Sequence, residues 1–344
     1  MEIQFDFSKN FTKKRKIEFT DLLKNLSDQI GFKVSSRGWC YIMEQSGFIN
    51  KDQFDKVSSA INDCRKEGFL PVDFVAEESS RAFSGVEEVD ERELKDILAW
   101  MLSDVLDGHN YYKPDWWEGE GFYIQMVVEK IDLVTLFSPV CRDYHVPIAN
   151  AKGWSSISQR AEYARRFKEA EDKGLRCVLL YCGDHDPDGL RISETLRSNL
   201  RDVSAVYWSD GETGYDPRDL IIDRFGLNYD FINSNGFTWI DNLITSSGKD
   251  LSNRSHRNFS LPYVQDYLKS IGPKKCEANV IVTKPKIAKA LVKEAIERYL
   301  GPDAPERFQQ KRDKVTEDYD TLLKEVGIKE TIIKVIKTVR DHED

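Results

Sequence analysis

No stretch of this sequence stays apolar over the roughly 20 residues that a membrane-crossing helix needs, so a membrane-spanning role is not expected. Met1 to Lys16 alternates polar and aromatic residues and then turns basic, with no apolar core of a secretory signal. The expected location is therefore cytoplasmic, and nucleoid-associated if the source is prokaryotic. The six cysteines, Cys40, Cys64, Cys141, Cys177, Cys182 and Cys276, form no Cys-x-x-Cys pair and have no zinc-finger spacing with histidine. They read as reduced, buried thiols, as Cys177 does within RCVLLYC. No Gly-x4-Gly-Lys-Ser/Thr phosphate loop occurs, which excludes a recognisable ATPase. There is no internal repeat and no low-complexity segment. Positive charge is in deficit: 50 Lys and Arg against 59 Asp and Glu leave a net charge of -9. A uniformly acidic surface repels phosphate, so this total argues against nucleic acid unless the charge is segregated.

What is present suits a globular chain of about two domains. The 344 residues are 40% hydrophobic and include 18 Phe, 14 Tyr and 7 Trp, too many for a disordered chain. Lys9, Lys13, Lys14, Arg15, Lys16 and Lys24 make a local basic cluster against only Glu18 and Asp21, which is either a phosphate-facing surface or a solvated helix face. Residues 30 to 83 read as a helical module. Ser35 or Ser36 caps a helix from Arg37 to Gln45, Asn50 caps a second with Phe54, Val57, Ile61 and Cys64 on one face, and Phe69-Leu70-Pro71 starts an extended piece. Two short helices and an extended piece suit a winged-helix-like fold or an ordinary helical hairpin. Glu87 to Asp107 is an acidic amphipathic linker helix, and a boundary is expected near residue 110.

Beyond it the pattern changes to strands alternating with helices, the mark of a parallel α/β sheet. Strands are expected at Phe122–Val128, Tyr144–Ala149, Cys177–Cys182, Ala205–Trp208 and Val280–Val282, and helices at Ile131–Phe137, Ser158–Lys173 and Leu190–Leu200. Gly211 to Ser260 reads as loop. Pro285 opens a helix from Lys286 to Leu300, and charged helices follow. The expected division is 1–110, 111–284 and 285–344.

Acids at strand ends carry the chemistry. Glu129 ends one expected strand, and Asp184 and Asp186 lie just past another. Residues i and i+2 of an extended segment point the same way, so the two aspartates present two carboxylates to one point, with His185 turned away. Hard carboxylate oxygens suit Mg²⁺, which can orient a phosphodiester. An isolated Asp-x-Asp is common in loops and helix caps. This one is distinguished by its place after an apolar strand and by the acidic strand end upstream.

The pattern Val127-Val128-Glu129-Lys130, with Tyr181-Cys182-Gly183-Asp184-His185-Asp186-Pro187-Asp188-Gly189, resembles a Toprim domain over roughly residues 120 to 285. The extended Asp-x-Asp-Pro-x-Gly form is most similar to the topoisomerase VI A subunit and its relative, the meiotic double-strand-break transesterase. The resemblance implies an N-terminal winged-helix-like domain, a Toprim domain with a Rossmann-like parallel sheet, and C-terminal helices. It further implies Mg²⁺ at Glu129, Asp184 and Asp186, with Asp188 beside them, and DNA as substrate. In that family the nucleophilic tyrosine lies four residues after an arginine on one helix, and Arg37-Gly38-Trp39-Cys40-Tyr41 has this spacing. Gly38 and Cys40 stand where the family has larger residues, and an aromatic pair is reduced to Tyr41 alone. Core packing beside Trp39 and Ile42 is the alternative role for Tyr41.

The expected catalytic residues are thus Tyr41, Arg37, Glu129 and Lys130. Lys152, Arg160 and Arg191 are candidate substrate contacts, and Ser155, Ser156, Arg254, His256 and Arg257 weaker ones. Glu277 is a further acidic candidate, and the Trp116-Trp117 pair suits a core or an interface. The family implies a homodimer and, for topoisomerase activity, a separate ATPase subunit. Three functions stay open: a tyrosine transesterase, a Toprim nuclease using metal-activated water, and a non-catalytic DNA-binding or scaffold protein.

Overall fold

The computed structural model describes residues 5, 7, 9–76, 89–151, 156–208, 214–244 and 250–341. The chain divides into two compact units, Met1–Glu78 with Glu120–Leu300, and Ser79–Gly119 with Gly301–Asp344. This grouping runs across the expected boundaries: the N-terminal helices pack with the sheet, and the linker helix packs with the last helices.

In chain order the elements are α1 Lys13–Ile30, α2 Ser36–Gln45, α3 Phe54–Lys66, α4 Leu94–Leu106, β1 Phe122–Val128, α5 Ile131–Asp143, β2 Ile148–Asn150, α6 Ile157–Asp172, β3 Arg176–Cys182, α7 Pro187–Leu190, α8 Ile192–Arg201, β4 Ile221–Gly226, α9 Tyr229–Ser234, α10 Pro262–Ser270, α11 Pro285–Leu300, α12 Ala304–Glu325 and α13 Lys329–Arg340. The protein is a mixed α/β fold around a four-stranded, all-parallel sheet of order β2-β1-β3-β4. α5 and α11 pack together on β1 and β4, while α6 and α8 pack together on β1, β3 and β4. With both faces covered, β1 and β3 are nearly continuous apolar runs, as buried parallel strands are.

The sheet differs from expectation at both edges: the strand expected at Tyr144–Ala149 is only Ile148–Asn150, because Tyr144 caps the end of α5, and the opposite edge is formed by other residues. Ala205–Trp208 is not a strand; Tyr207 is 83% exposed. The fourth strand is β4, within the region read as loop. Its sequence, Ile-Ile-Asp-Arg-Phe-Gly, lacks an apolar run because an edge strand carries half-exposed Asp223 and Arg224. Val280–Val282 is likewise not a strand but part of a 3₁₀ turn over Ala278–Thr283, buried beneath α2, α5 and α11.

Ser35 caps α2, its hydroxyl accepting from Gly38 N at 3.1 Å. Asp132, at the start of α5, accepts from Ser35 N at 2.9 Å and from the Ser35 hydroxyl at 3.0 Å, which ties the helical module to the sheet. Gly38 is required by this approach: a Cβ there would collide with the Val34 side chain and the Asp132 carboxylate. The extended piece expected at Phe69–Pro71 is instead a bend, since Phe69 N and Leu70 N both turn back to Cys64 O. Among the described residues this module is helical, with no strand.

In the second unit α4 packs on α13, and Lys311 on α12 donates to Trp116 O at 2.7 Å and Glu118 O at 2.6 Å. Trp116 and Trp117 meet Phe308 edge-on. Much of the apolar stripe expected on α4 is exposed, including Leu94, Leu98 and Met101. All six cysteines are buried and free. No helix among the described residues is long and apolar enough to cross a membrane.

Candidate active site

The sheet brings the three expected acids together. β1 and β3 are adjacent and in register, Val128 opposite Cys182, so both chains leave the sheet at the same edge. The ladder continues one step further, with Glu129 N donating to Cys182 O at 3.0 Å. Asp184 follows immediately and donates its own N–H to Glu129 Oε2 at 2.8 Å. Asp186 then caps α7, accepting from Gly189 N at 2.6 Å, and Pro187 occupies the first helical position. A cavity of about 540 Å³ opens at this carboxyl edge, lined by Glu129, Asp184, Asp186 and Asp188 together with Tyr181 and Arg191. Ligand sites of parallel α/β sheets form at this edge.

Each carboxylate has a defined role. Lys130, the residue preceding α5, lies between two of them, with Nζ 2.8 Å from Glu129 Oε1 and 2.9 Å from Asp184 Oδ2. The remaining oxygens are held as well: Tyr181 OH donates to Glu129 Oε2 at 3.2 Å, and Ala278 N donates to Asp184 Oδ1 at 2.7 Å. Burial opposes ionisation of Glu129, but the Lys130 ammonium and the Asp184 amide outweigh it and keep its carboxyl below the usual range. Asp184 is pushed up, to about 7, first by burial and then by the Glu129 charge. Burial also raises Asp186. Lys130 thus bridges two of the three carboxyls, while Asp186 spends one oxygen on the cap of α7.

The all-oxygen donor set of these carboxyls fits a hard divalent cation. The cage is not assembled, however. Among the described residues no three His, Cys, Asp or Glu side chains are drawn together tightly enough to hold a metal ion. An ammonium stands between the two best-placed carboxylates.

The other expected residues are distributed as follows. Asp188 is exposed at the cavity and accepts from Tyr263 OH at 2.9 Å. Arg191 also lines it, paired with Glu194 at 2.6 Å and stacked over Tyr263. Arg160 lies outside the cavity lining, on α6, and reaches Asn199 O at 3.4 Å. Lys152 and Ser155 lie outside the described residues. Ser156 caps α6. Arg254 and Arg257 are exposed and not part of the cavity. His185, turned away from the cavity as expected, is buried and hydrogen-bonds Leu227 O through Nδ1 at 2.8 Å. In the basic cluster, Lys13, Lys14 and Lys24 are exposed on α1, and Lys16 pairs with Glu67 at 2.5 Å.

Tyr41 is only 3% exposed and meets Phe54 edge-on. Arg37 and Glu277 are the charged groups that act on its hydroxyl, so the i, i+4 pair does converge, but beside a carboxylate. Burial, then the Glu277 charge, pushes the phenol well above its ordinary range. Glu277 is itself 6% exposed and also binds Lys51 and, at 3.4 Å, Lys275. Burial alone would raise its carboxyl, yet Lys51, Tyr41 and Lys275 bring it down to about 2. Such a depressed carboxyl stabilises the fold above its unfolded value of 4.5, and this contribution is lost as pH falls toward 2. It amounts to about 3 kcal/mol. Glu277→Gln is therefore expected to lower stability at pH 7 and to flatten the acid limb between about 4.5 and 2 relative to wild type. Denaturant midpoints across that pH range test this, and parallel wild-type and variant limbs would contradict it.

One functional residue gave no sequence signal. Arg224 on β4 clasps the acid turn: Nη2 donates to Asp184 O at 2.9 Å and Gly183 O at 3.4 Å, Nε to Gly189 O at 3.2 Å, and Nη1 to Leu227 O at 2.9 Å and Asn228 Oδ1 at 2.7 Å. Recognising β4 as the neighbour of β3 is the only route to it.

Comparison with family models, curated proteins and solved structures found no match for this chain.

Proposed function

We propose that this protein is a metal-dependent DNA-cleaving enzyme with a Toprim-like centre at Glu129, Asp184 and Asp186. The observation that carries the reading is the convergence of these three carboxyls, from the ends of the two central parallel strands, on one cavity. Glu129, Asp184 and Asp186 would hold the cation, with Asp188 a further carboxylate at the same cavity. Mg²⁺ bound there would supply a Lewis acid for the charge developing on a phosphodiester. Arg191, at the cavity, is placed to bind a phosphate oxygen, and the exposed lysines of α1 offer a basic face to the backbone despite the acidic total.

Hydrolysis by activated water is the favoured route, because Tyr41 is buried and the Glu277 charge of the same chain opposes ionisation of its phenol. Tyrosine transesterification is the second reading, supported by the Arg37 guanidinium lying 6.0 Å from the centroid of the Tyr41 ring. It requires Tyr41 to leave Glu277 and a homodimer to bring a metal centre to it. A strand-passing activity would add a separate ATPase subunit.

The test is incubation with supercoiled DNA and Mg²⁺. Wild type is expected to nick or linearise the DNA, and Asp184→Ala to reduce the rate ~10²-fold or more. Under the hydrolytic reading, Tyr41→Phe retains cleavage and no phosphotyrosyl adduct forms. An adduct lost in Tyr41→Phe selects transesterification. No Mg²⁺ binding and no cleavage in any combination leaves a DNA-binding or scaffold role.

A further inference from the structure

We propose that Lys130 is the resident counter-ion of the acid cavity, and that a divalent cation enters only by displacing its ammonium. The inference rests on reading the cavity as a metal site and adds how that site is gated.

The argument is one of counting oxygens. Glu129 Oε2 is taken by Asp184 N and Tyr181 OH, and Asp184 Oδ1 by Ala278 N. These partners are backbone amides and a buried tyrosine, fixed by the sheet and by the 3₁₀ turn. The two oxygens with no backbone or tyrosine partner, and so the most open to a cation, are Glu129 Oε1 and Asp184 Oδ2, which Lys130 Nζ bridges at 2.8 and 2.9 Å. Asp186 adds the oxygen not used to cap α7. A dication on this pair of oxygens would sit within a few ångströms of the ammonium, where like charges repel strongly at the low effective dielectric of a cavity. The two cations are therefore alternatives.

The residue type fits the role. Two neighbouring carboxylates leaving water without a cation would oppose folding, so a resident charge is needed before any metal arrives. A lysine supplies it as a compact point charge on a flexible stem, whereas a guanidinium would lock both carboxylates in a planar fork. The Lys130 side chain is 27% exposed, which leaves the ammonium a path to solvent.

The test uses the full-length protein at pH 8 with Mn²⁺ as the probe, by calorimetry and by the loss of the free-ion spin-resonance signal. Lys130→Met is expected to bind Mn²⁺ at least ~10-fold more tightly than wild type, by removing a competing like charge. It is also expected to melt at a lower temperature without metal and to recover more than wild type when Mn²⁺ is added. In the wild type, saturation with Mn²⁺ is expected to increase acylation of Lys130 severalfold, read by mass spectrometry against exposed Lys289. That wild-type readout holds even where the variant folds poorly. Equal or weaker binding by Lys130→Met, or Lys130 acylation unchanged while wild type binds Mn²⁺, overturns the gating and leaves the metal reading standing. No binding by either protein, with Asp184→Asn as the matched blank, overturns both.

Discussion

Arg224→Leu is expected to destabilise the protein by about 2 kcal/mol or more, because it removes a donor from four backbone carbonyls at once, of which Gly183 O keeps Leu227 N and Leu227 O keeps His185 while Asp184 O and Gly189 O lose their side-chain partner. The guanidinium donates to the carbonyls of Gly183, Asp184, Gly189 and Leu227. Leucine matches the stem but supplies no donor. Each abandoned acceptor costs roughly 1–3 kcal/mol where water cannot reach it. Half-buried Arg224 lets some water in, which places the total below the simple product. Arg224→Lys should fall between, since an ammonium has three donors and no planar fork to span the turn. The effect should extend to function, because the same carbonyls set the direction of the Asp184 and Asp186 side chains. Denaturant unfolding checks the stability, and Mn²⁺ binding by whichever variant remains folded checks the site. A Leu variant within 1 kcal/mol of wild type would sink the assignment.

Gly189→Ala is the second large effect. A Cβ at this position would lie inside contact distance of the Asp184 carbonyl oxygen and 3.1 Å from Asp186 Oδ1. Relief would ordinarily come from a small backbone rotation, but the Asp184 carbonyl is held by Arg224 at 2.9 Å. The turn must therefore break either the Arg224 bond or the Asp186 cap. Overpacking of a constrained site costs about 1–3 kcal/mol, and loss of a helix cap about 1 more. The predicted result is a lowered melting temperature and, under the proposed function, loss of the Mn²⁺ binding and DNA cleavage expected of wild type. In the double variant Arg224→Lys/Gly189→Ala the two costs should be less than additive, since the first loosens what the second strikes. Strict additivity would show the two to be independent.

Both predictions depend on contacts between residues far apart in the chain, and that is where sequence reading stopped. The cues it read correctly were local. β1 and β3 are apolar runs ended by charge or glycine, α2 starts at a serine cap, and Asp-x-Asp-Pro-x-Gly makes a turn into a helix from its own backbone preferences. β4 was missed because an edge strand needs no apolar run, and Val280–Val282 was misread because an apolar triplet serves a buried 3₁₀ turn as well as a strand.

By itself the sequence determined a parallel α/β sheet, a helical N-terminal module, and three acids at strand ends, because period, punctuation and strand-end position are properties of neighbouring residues. The tertiary structure decided what those acids face. Lys130 meets Asp184 across 54 residues, Arg224 meets Asp184 across 40, and Lys51 meets Glu277 across 226. It also decided that Tyr41 meets a carboxylate in its own chain. These pairings arise from the register of β1, β3 and β4 and from the packing of α2 on Ala278–Thr283, and long-range packing of that kind leaves no local mark in a single sequence.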